Sequence, residues 1–279
     1  VRYGNMGEQV TGMDVVLPDG SIVKRHSHVR QDNTGYDLAS LFVGAEGTLG
    51  VITGLDLRLH PTPTHRVTAV CGFAGLDDLV EAGREFRDVD GIAALELIDA
   101  RASALTAEHL GVAAPVDGAW QLLIELAADS DPTDRLADAL EQVRLAGEPA
   151  VGVDVNAQQR LWQGREAVAG GLRGYWPPPK FDVSLPLSAI ATFARESGEL
   201  IADHTPDAIP VLFGHIGEGN LHLNVVGCAL DGDREAALYS AMMTLIARCG
   251  GNVSSEHGVG SRKRDYISMS RTAADIAAM

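Results

Sequence analysis

Ile209-Pro210-Val211-Leu212-Phe213-Gly214-His215-Ile216-Gly217-Glu218-Gly219-Asn220-Leu221-His222-Leu223-Asn224-Val225-Val226 carries two signals at once, one for the fold and one for a site. The apolar run Ile209 to Phe213 predicts a strand. Beyond the glycines, Leu221, Leu223 and Val225 alternate with His222 and Asn224, the period-2 pattern of a half-buried strand. His222 and Asn224 therefore share one face. His215 lies an odd number of residues from His222, so in one regular strand their rings would face opposite ways. Gly217 and Gly219 permit the turn or bulge that brings both rings to one side.

A second polar stretch, Ser255-Glu256-His257-Gly258-Val259-Gly260, adds a carboxylate and another imidazole. Two neutral imidazoles and one carboxylate, with coordination positions left over, suit an open catalytic metal site better than a closed structural one. His215, His222 and Glu256 are the candidate ligands, with zinc as the first choice and manganese, cobalt or iron as alternatives. His257 is the candidate acid or base beside them. A competing reading gives both histidines to backbone hydrogen bonds in a glycine-rich turn and pairs Glu256 with Arg262 or Lys263. Two histidines in a Gly/Asn bend plus a Glu-His-Gly bend put a shared site on equal terms with it.

With 279 residues, 46% of them hydrophobic, the chain can bury a sizeable core in one large domain or two ordinary ones. No apolar run reaches transmembrane length and no signal-peptide pattern opens the sequence, although Val1 is not an initiator methionine. Cys71, Cys228 and Cys249 are odd in number and widely spaced, which gives no disulfide framework and points to a reducing cytoplasm. A net charge of -16 argues against nucleic acid or an anionic membrane as partner. An anionic substrate needs local Arg, Lys or metal groups to overcome that field.

Residues 12 to 25 predict a hairpin around Pro18-Asp19-Gly20, followed by a short helix over Tyr36 to Phe42 and a strand over Val51 to Leu59. His60-Pro61-Thr62-Pro63-Thr64 stops both helix and strand and marks a domain boundary. Beyond it, strands are predicted at Val67 to Phe73, Ile92 to Ile98, Trp120 to Leu126, Ala150 to Val155, Lys180 to Leu185, Ile209 to Phe213 and Leu221 to Val226. Helices are predicted at Leu76 to Val89, Arg101 to Leu110, Pro132 to Leu145, Ala157 to Val168, Leu187 to Asp203 and Asp233 to Cys249. That rhythm implies a layered α+β or α/β domain. His26 and His28 fit one strand face, yet no third ligand is near them in sequence.

Gly44-Ala45-Glu46-Gly47-Thr48-Leu49-Gly50 spaces its glycines by three and leads into a strand, unlike a nicotinamide-binding fingerprint. It reads either as a plain tight turn or as a loop whose amides let something flat or anionic approach the backbone.

Thr34-Gly35-Tyr36-Asp37-Leu38 with Leu41 to Thr53 resembles the end of the FAD-binding domain in the vanillyl-alcohol-oxidase-like flavoproteins. His215 through Asn224 and Glu256 through Gly260 resemble signatures of its FAD-linked D-2-hydroxyacid dehydrogenase branch, which holds D-lactate dehydrogenases, the flavin subunit of glycolate oxidase and D-2-hydroxyglutarate dehydrogenases. The resemblance implies an α+β chain: the second half of a PCMH-type FAD-binding domain over 1–60, without its N-terminal lobe, then a substrate (cap) domain over 61–262 with a mainly antiparallel sheet covered by helices. Residues 263–279 would begin a C-terminal segment returning to the FAD domain, so the chain is expected to be part of a longer enzyme.

The resemblance further implies His215, His222 and Glu256 as metal ligands and His257 as catalytic base. Asn224, Arg165 and Lys180 would bind substrate, and Glu46, Gly47, Thr48, Gly50 and Ile52 would contact FAD. Ala169 stands where members acting on dicarboxylates often carry a hydroxyl. Taken singly, Arg165 reads as a partner for Glu166 or Glu196, and Lys180 as a solvated strand end. The implied reaction is oxidation of a D-2-hydroxy acid to the 2-oxo acid, with a divalent metal assisting and a hydride passing to flavin. The implied electron acceptor is an electron-transfer flavoprotein, a quinone or a cytochrome, with a homodimer compatible and a cytoplasmic or peripheral membrane location. Two alternatives use the same residues: a metal-dependent hydrolase, and a non-catalytic subunit of a flavoprotein complex.

Overall fold

A computed structural model describes residues 2–26, 29, 32, 34–175, 178–228 and 230–279, so His28 lies outside the described residues. The chain divides into two compact units, Arg2–Thr62 and Pro63–Met279.

In the smaller unit, α1 (Met6–Gln9) leads into β1 (Val10–Val16), β2 (Ile22–His26), α2 (Leu38–Phe42) and β3 (Val51–Leu57). The sheet runs β2-β1-β3, antiparallel throughout. Asp19 accepts the Ser21 N–H at 2.9 Å and sets the β1–β2 turn, as the Pro-Asp-Gly motif predicts. Met13 and Val15 of the central strand are fully buried. In β3, by contrast, Val51, Ile52, Leu55 and Leu57 are all exposed. His26 sits between Asp56, 2.6 Å from Nδ1, and Asp14, 3.1 Å from Nε2, so its partners come from the other two strands rather than from nearby sequence.

The larger unit contains β4 (His65–Phe73), α3 (Leu76–Arg87), β5 (Ile92–Asp99), α4 (Ala100–Leu110), β6 (Trp120–Ala128), α5 (Thr133–Leu140), β7 (Ala150–Gly152), α6 (Val155–Glu166) and α7 (Val168–Gly171). It continues through β8 (Lys180–Ser184), α8 (Ile190–His204), β9 (Ile209–His215), β10 (Asn220–Val226), α9 (Gly232–Arg248) and α10 (Ala273–Ala278). The strands form one seven-stranded sheet in the order β7-β4-β6-β5-β9-β10-β8, antiparallel at every described pairing.

One face of that sheet holds the main core. Leu95, Leu97, Leu122, Ile124, Phe181, Val183, Leu221, Leu223 and Val225 pack there with Leu79 and Phe86 of α3, Leu136 of α5, Phe193 and Ile201 of α8, and Met242 and Ile246 of α9. Burying each of the larger side chains contributes about 1.5–3 kcal/mol. On the other face α4, α7 and α6 cover only part of the sheet, through the clusters around Val211 and Phe213 and around Val70 and Leu123. Period-2 alternation sends Asn220, His222 and Asn224 to this second face.

Several predicted boundaries move, three of them for a visible reason. The helix expected to reach Leu145 ends at Leu140, because the chain unwinds to donate the Ala146 N–H to Gly72 O at 2.8 Å while Val143 and Leu145 still reach the core. The strand expected to run to Val155 stops at Gly152, because Asp154 caps the next helix by accepting the Ala157 N–H at 2.9 Å. The helix expected to begin at Leu187 opens as a 3₁₀ turn and becomes α-helical at Ile190. No helix among the described residues is long and apolar enough to cross a membrane.

Candidate active site

His215 ends β9 and His222 lies in β10, joined by a short 3₁₀ turn over Ile216–Glu218. In this antiparallel pair Phe213 faces His222 and His215 faces Asn220, so residues of opposite parity share a face. The turn therefore puts both imidazoles on the second face without a bulge, their ring centroids 5.5 Å apart. Gly219 closes the turn at φ 72°, where an added Cβ would stand 2.1 Å from the Leu185 carbonyl oxygen. Gly219→Ala is expected to destabilise by at least about 1–3 kcal/mol from backbone conformation alone. A urea unfolding midpoint equal to wild type would contradict this.

Asp182 of β8 pairs with His222 in register, and Lys180 pairs with Asn224. Asp182 Oδ2 accepts three consecutive backbone N–H groups, from Ser255 (3.3 Å), Glu256 (3.1 Å) and His257 (3.2 Å). The Lys263 ammonium lies 3.6 Å from the same oxygen. This carboxylate thus seats the Glu256-His257 loop over the sheet.

Glu256 then reaches all three histidines: its oxygens lie 3.3 Å from His222 Nε2, 3.3 Å from His257 Nε2 and 3.8 Å from His215 Nε2. The groups whose ligand atoms lie within 4.8 Å of one another are Asp182, His222, Glu256 and His257, a set that does not include His215. His257 stacks on His222 at 5.7 Å, and its Nδ1 is 3.4 Å from Asp182 Oδ2.

Burial, reinforced by neighbouring His215, pushes the His222 pKa down to about 4, and cationic Arg165 and Lys180 act in the same direction. That keeps its ring neutral, as metal ligation requires. His215 is raised instead, chiefly by its hydrogen bond with Glu96. Glu96 Oε1 is 2.7 Å from His215 Nδ1, and its Oε2 accepts the Arg165 Nε–H at 2.8 Å. The Arg165 guanidinium also lies 5.1 Å from the centre of the Phe213 ring.

The partner of Arg165 is thus Glu96, not Glu166 or Glu196; Glu196 pairs with Arg248. Arg262 pairs with Glu235. Sequence reasoning assigned no role to Glu96 or Asp182. Their signal was an acidic residue inside an otherwise apolar strand, Leu95-Glu96-Leu97 and Phe181-Asp182-Val183.

The donor set fits a divalent cation. His222 Nδ1 and Asp182 Oδ1, both buried and without a hydrogen-bond partner, face each other at 3.7 Å, while His222 Nε2 faces Glu256. In the smaller unit, Glu46 holds φ 52°, the only non-glycine positive φ among the described residues, in the loop that also contains Gly47 and Thr48. Gly50 fits against Val15 and the Val16 carbonyl, and Ile52 is exposed on β3.

An antiparallel sheet carrying imidazoles, acids and cations on one partly covered face, with helices over the other, defines an α+β protein. Residues 62–279 match the family described as FAD linked oxidases, C-terminal domain, and the chain belongs to that family. It is 36% identical over 280 residues to the mitochondrial D-2-hydroxyglutarate dehydrogenase of Bos taurus, covering 97% of this chain and 51% of that protein. It is 33% identical over 292 residues to the D-2-hydroxyglutarate dehydrogenase of Stutzerimonas stutzeri (strain A1501), covering 100% of this chain and 62% of that protein. The fold is shared with 4-ethylphenol oxidase from Gulosibacter chungangensis in its isoeugenol complex, at TM-score 0.64 and 17% identity over 90% of this chain and 58% of that one. The chain spans 51% and 62% of the length of the two dehydrogenases. The α+β class and the family resemblance read from the sequence are borne out.

Proposed function

We propose that this chain forms the substrate side of a flavoenzyme that oxidises a D-2-hydroxy acid to the 2-oxo acid, with FAD accepting the hydride and a divalent metal, zinc first, assisting. The observation that carries the reading is the single carboxylate of Glu256 within 3.3–3.8 Å of three imidazoles. The two dehydrogenase relatives support the substrate class.

His215, His222 and Glu256 would hold the metal. Asp182 is placed to seat the loop rather than to share that ion, because its Oδ2 takes three backbone amides and its Oδ1 faces His222 Nδ1, not the Nε2 that faces Glu256. When bound, the ion supplies Lewis acidity that lowers the pKa of an alcohol, and the flavin supplies the redox chemistry. Asp182 beside Nδ1 favours the His257 tautomer that leaves Nε2 as the base, and Nε2 takes the hydroxyl proton. Arg165 and Lys180 bind the carboxylate by charge-assisted hydrogen bonds. The Asn224 Nδ2, buried without a hydrogen-bond partner, supplies a further donor.

Residues 2–62 would contribute to the flavin site through Glu46, Gly47, Thr48, Gly50 and Ile52. The left-handed Glu46 and the exposed apolar row of β3 support this. Three free thiols suit a reducing compartment.

The test is anaerobic mixing of the FAD-loaded enzyme with D-lactate, glycolate, D-malate and D-2-hydroxyglutarate, reading flavin absorbance. One of these acids should bleach the flavin, chelation should abolish the bleaching, and zinc, manganese or cobalt should restore it. Bleaching that continues at full rate in metal-stripped enzyme refutes the metal role. A flavin that none of the acids reduces refutes the substrate class.

A further inference from the structure

Glu96 stands in the middle of β5 with 6% of its surface exposed, and its two oxygens face different partners. Oε1 is 2.7 Å from His215 Nδ1 and Oε2 accepts the Arg165 Nε–H at 2.8 Å. We infer that Glu96 is a positioning residue that holds His215 for metal binding and Arg165 for carboxylate binding, coupling the two through one buried side chain. This rests on the metal and substrate roles proposed above.

A neutral imidazole that donates through Nδ1 presents its lone pair at Nε2, and here Nε2 points toward Glu256 at 3.8 Å. The same carboxylate fixes the Arg165 guanidinium over Phe213, whose strand partner is His222. Glu96 touches neither the metal ion nor the substrate in this scheme. Its bridge also spans two strands that share only two paired positions, Leu97 with Gly214 and Ile98 with Phe213. Beside those two pairs, the buried Asp99 carboxylate of β5 accepts the Leu212 N–H at 2.9 Å, and the Glu96 bridge adds a tie at His215 itself.

The experiment uses the FAD-loaded enzyme and measures zinc affinity by competition with a chromophoric chelator, together with KM and kcat for the preferred acid at saturating zinc. Glu96→Gln should weaken zinc binding by about 10- to 100-fold and also raise KM, because its amide can accept from only one of the two partners. Glu96→Asp, which keeps the charge but is one methylene too short to span both, should show the same double defect. That variant carries the test where the Gln variant does not fold. Arg165→Gln should raise KM without weakening zinc. A purely packing role predicts a lower unfolding midpoint with zinc affinity and KM unchanged, and that result overturns the inference. Wild-type enzyme that binds no divalent ion overturns the metal reading itself and this inference with it; wild type that binds zinc beside an unaffected Glu96→Gln overturns the inference alone.

Discussion

His257→Gln is expected to slow anaerobic flavin reduction by a D-2-hydroxy acid about 10²- to 10⁴-fold, the usual contribution of a positioned general base. The flavin's visible spectrum should stay intact. His257 sits at the rim of the site, with its side chain 47% exposed, so its loss should cost the fold little. What it loses is specific: a ring held by Asp182 at Nδ1 and stacked on His222, with Nε2 beside Glu256. Zinc affinity should change little, because the proposed ligands are His215, His222 and Glu256. Stopped-flow absorbance separates these effects, and bleaching at the wild-type rate would remove His257 from the role of base.

Asp182→Ala should have the largest effect on stability. Only 4% of the side chain is exposed, and one oxygen accepts the amides of Ser255, Glu256 and His257 beside the Lys263 ammonium. Removing one partner of a buried charge arrangement costs about 3–5 kcal/mol, and the three part-buried amides lose their acceptor as well. The released loop would carry Glu256 and His257 away from β10, so metal binding and turnover should fail together. Asp182→Asn keeps an acceptor for the amides and should lose less. Urea unfolding measures both variants, and an unchanged midpoint for Asp182→Ala would mean that another contact seats the loop.

The site histidines were legible because β10 is a strand with oil on one face and polar groups on the other. Leu221, Leu223 and Val225 announce the core, and His222 and Asn224 then fall opposite it by geometry alone. Parity along a single strand misdirects for His215, because the chain reverses between the two histidines and the cross-strand register decides the face. Glu96 and Asp182 stayed hidden for a different reason. Their partners lie 69 to 119 residues away for Glu96 and 73 to 75 residues away for the backbone amides on Asp182, beyond any local window. The true end of α5 was equally illegible, since Val143 and Leu145 continue a helical apolar rhythm in a segment whose backbone has already turned toward Gly72.

The two-pair contact between β5 and β9 has a mechanical consequence. The large sheet is two half-sheets joined by a short stitch, with Glu96 on one side and His215, His222 and Asp182 on the other. If the proposed metal binds, a cation held from β9, β10 and the 256 loop would act as a rivet beside that stitch.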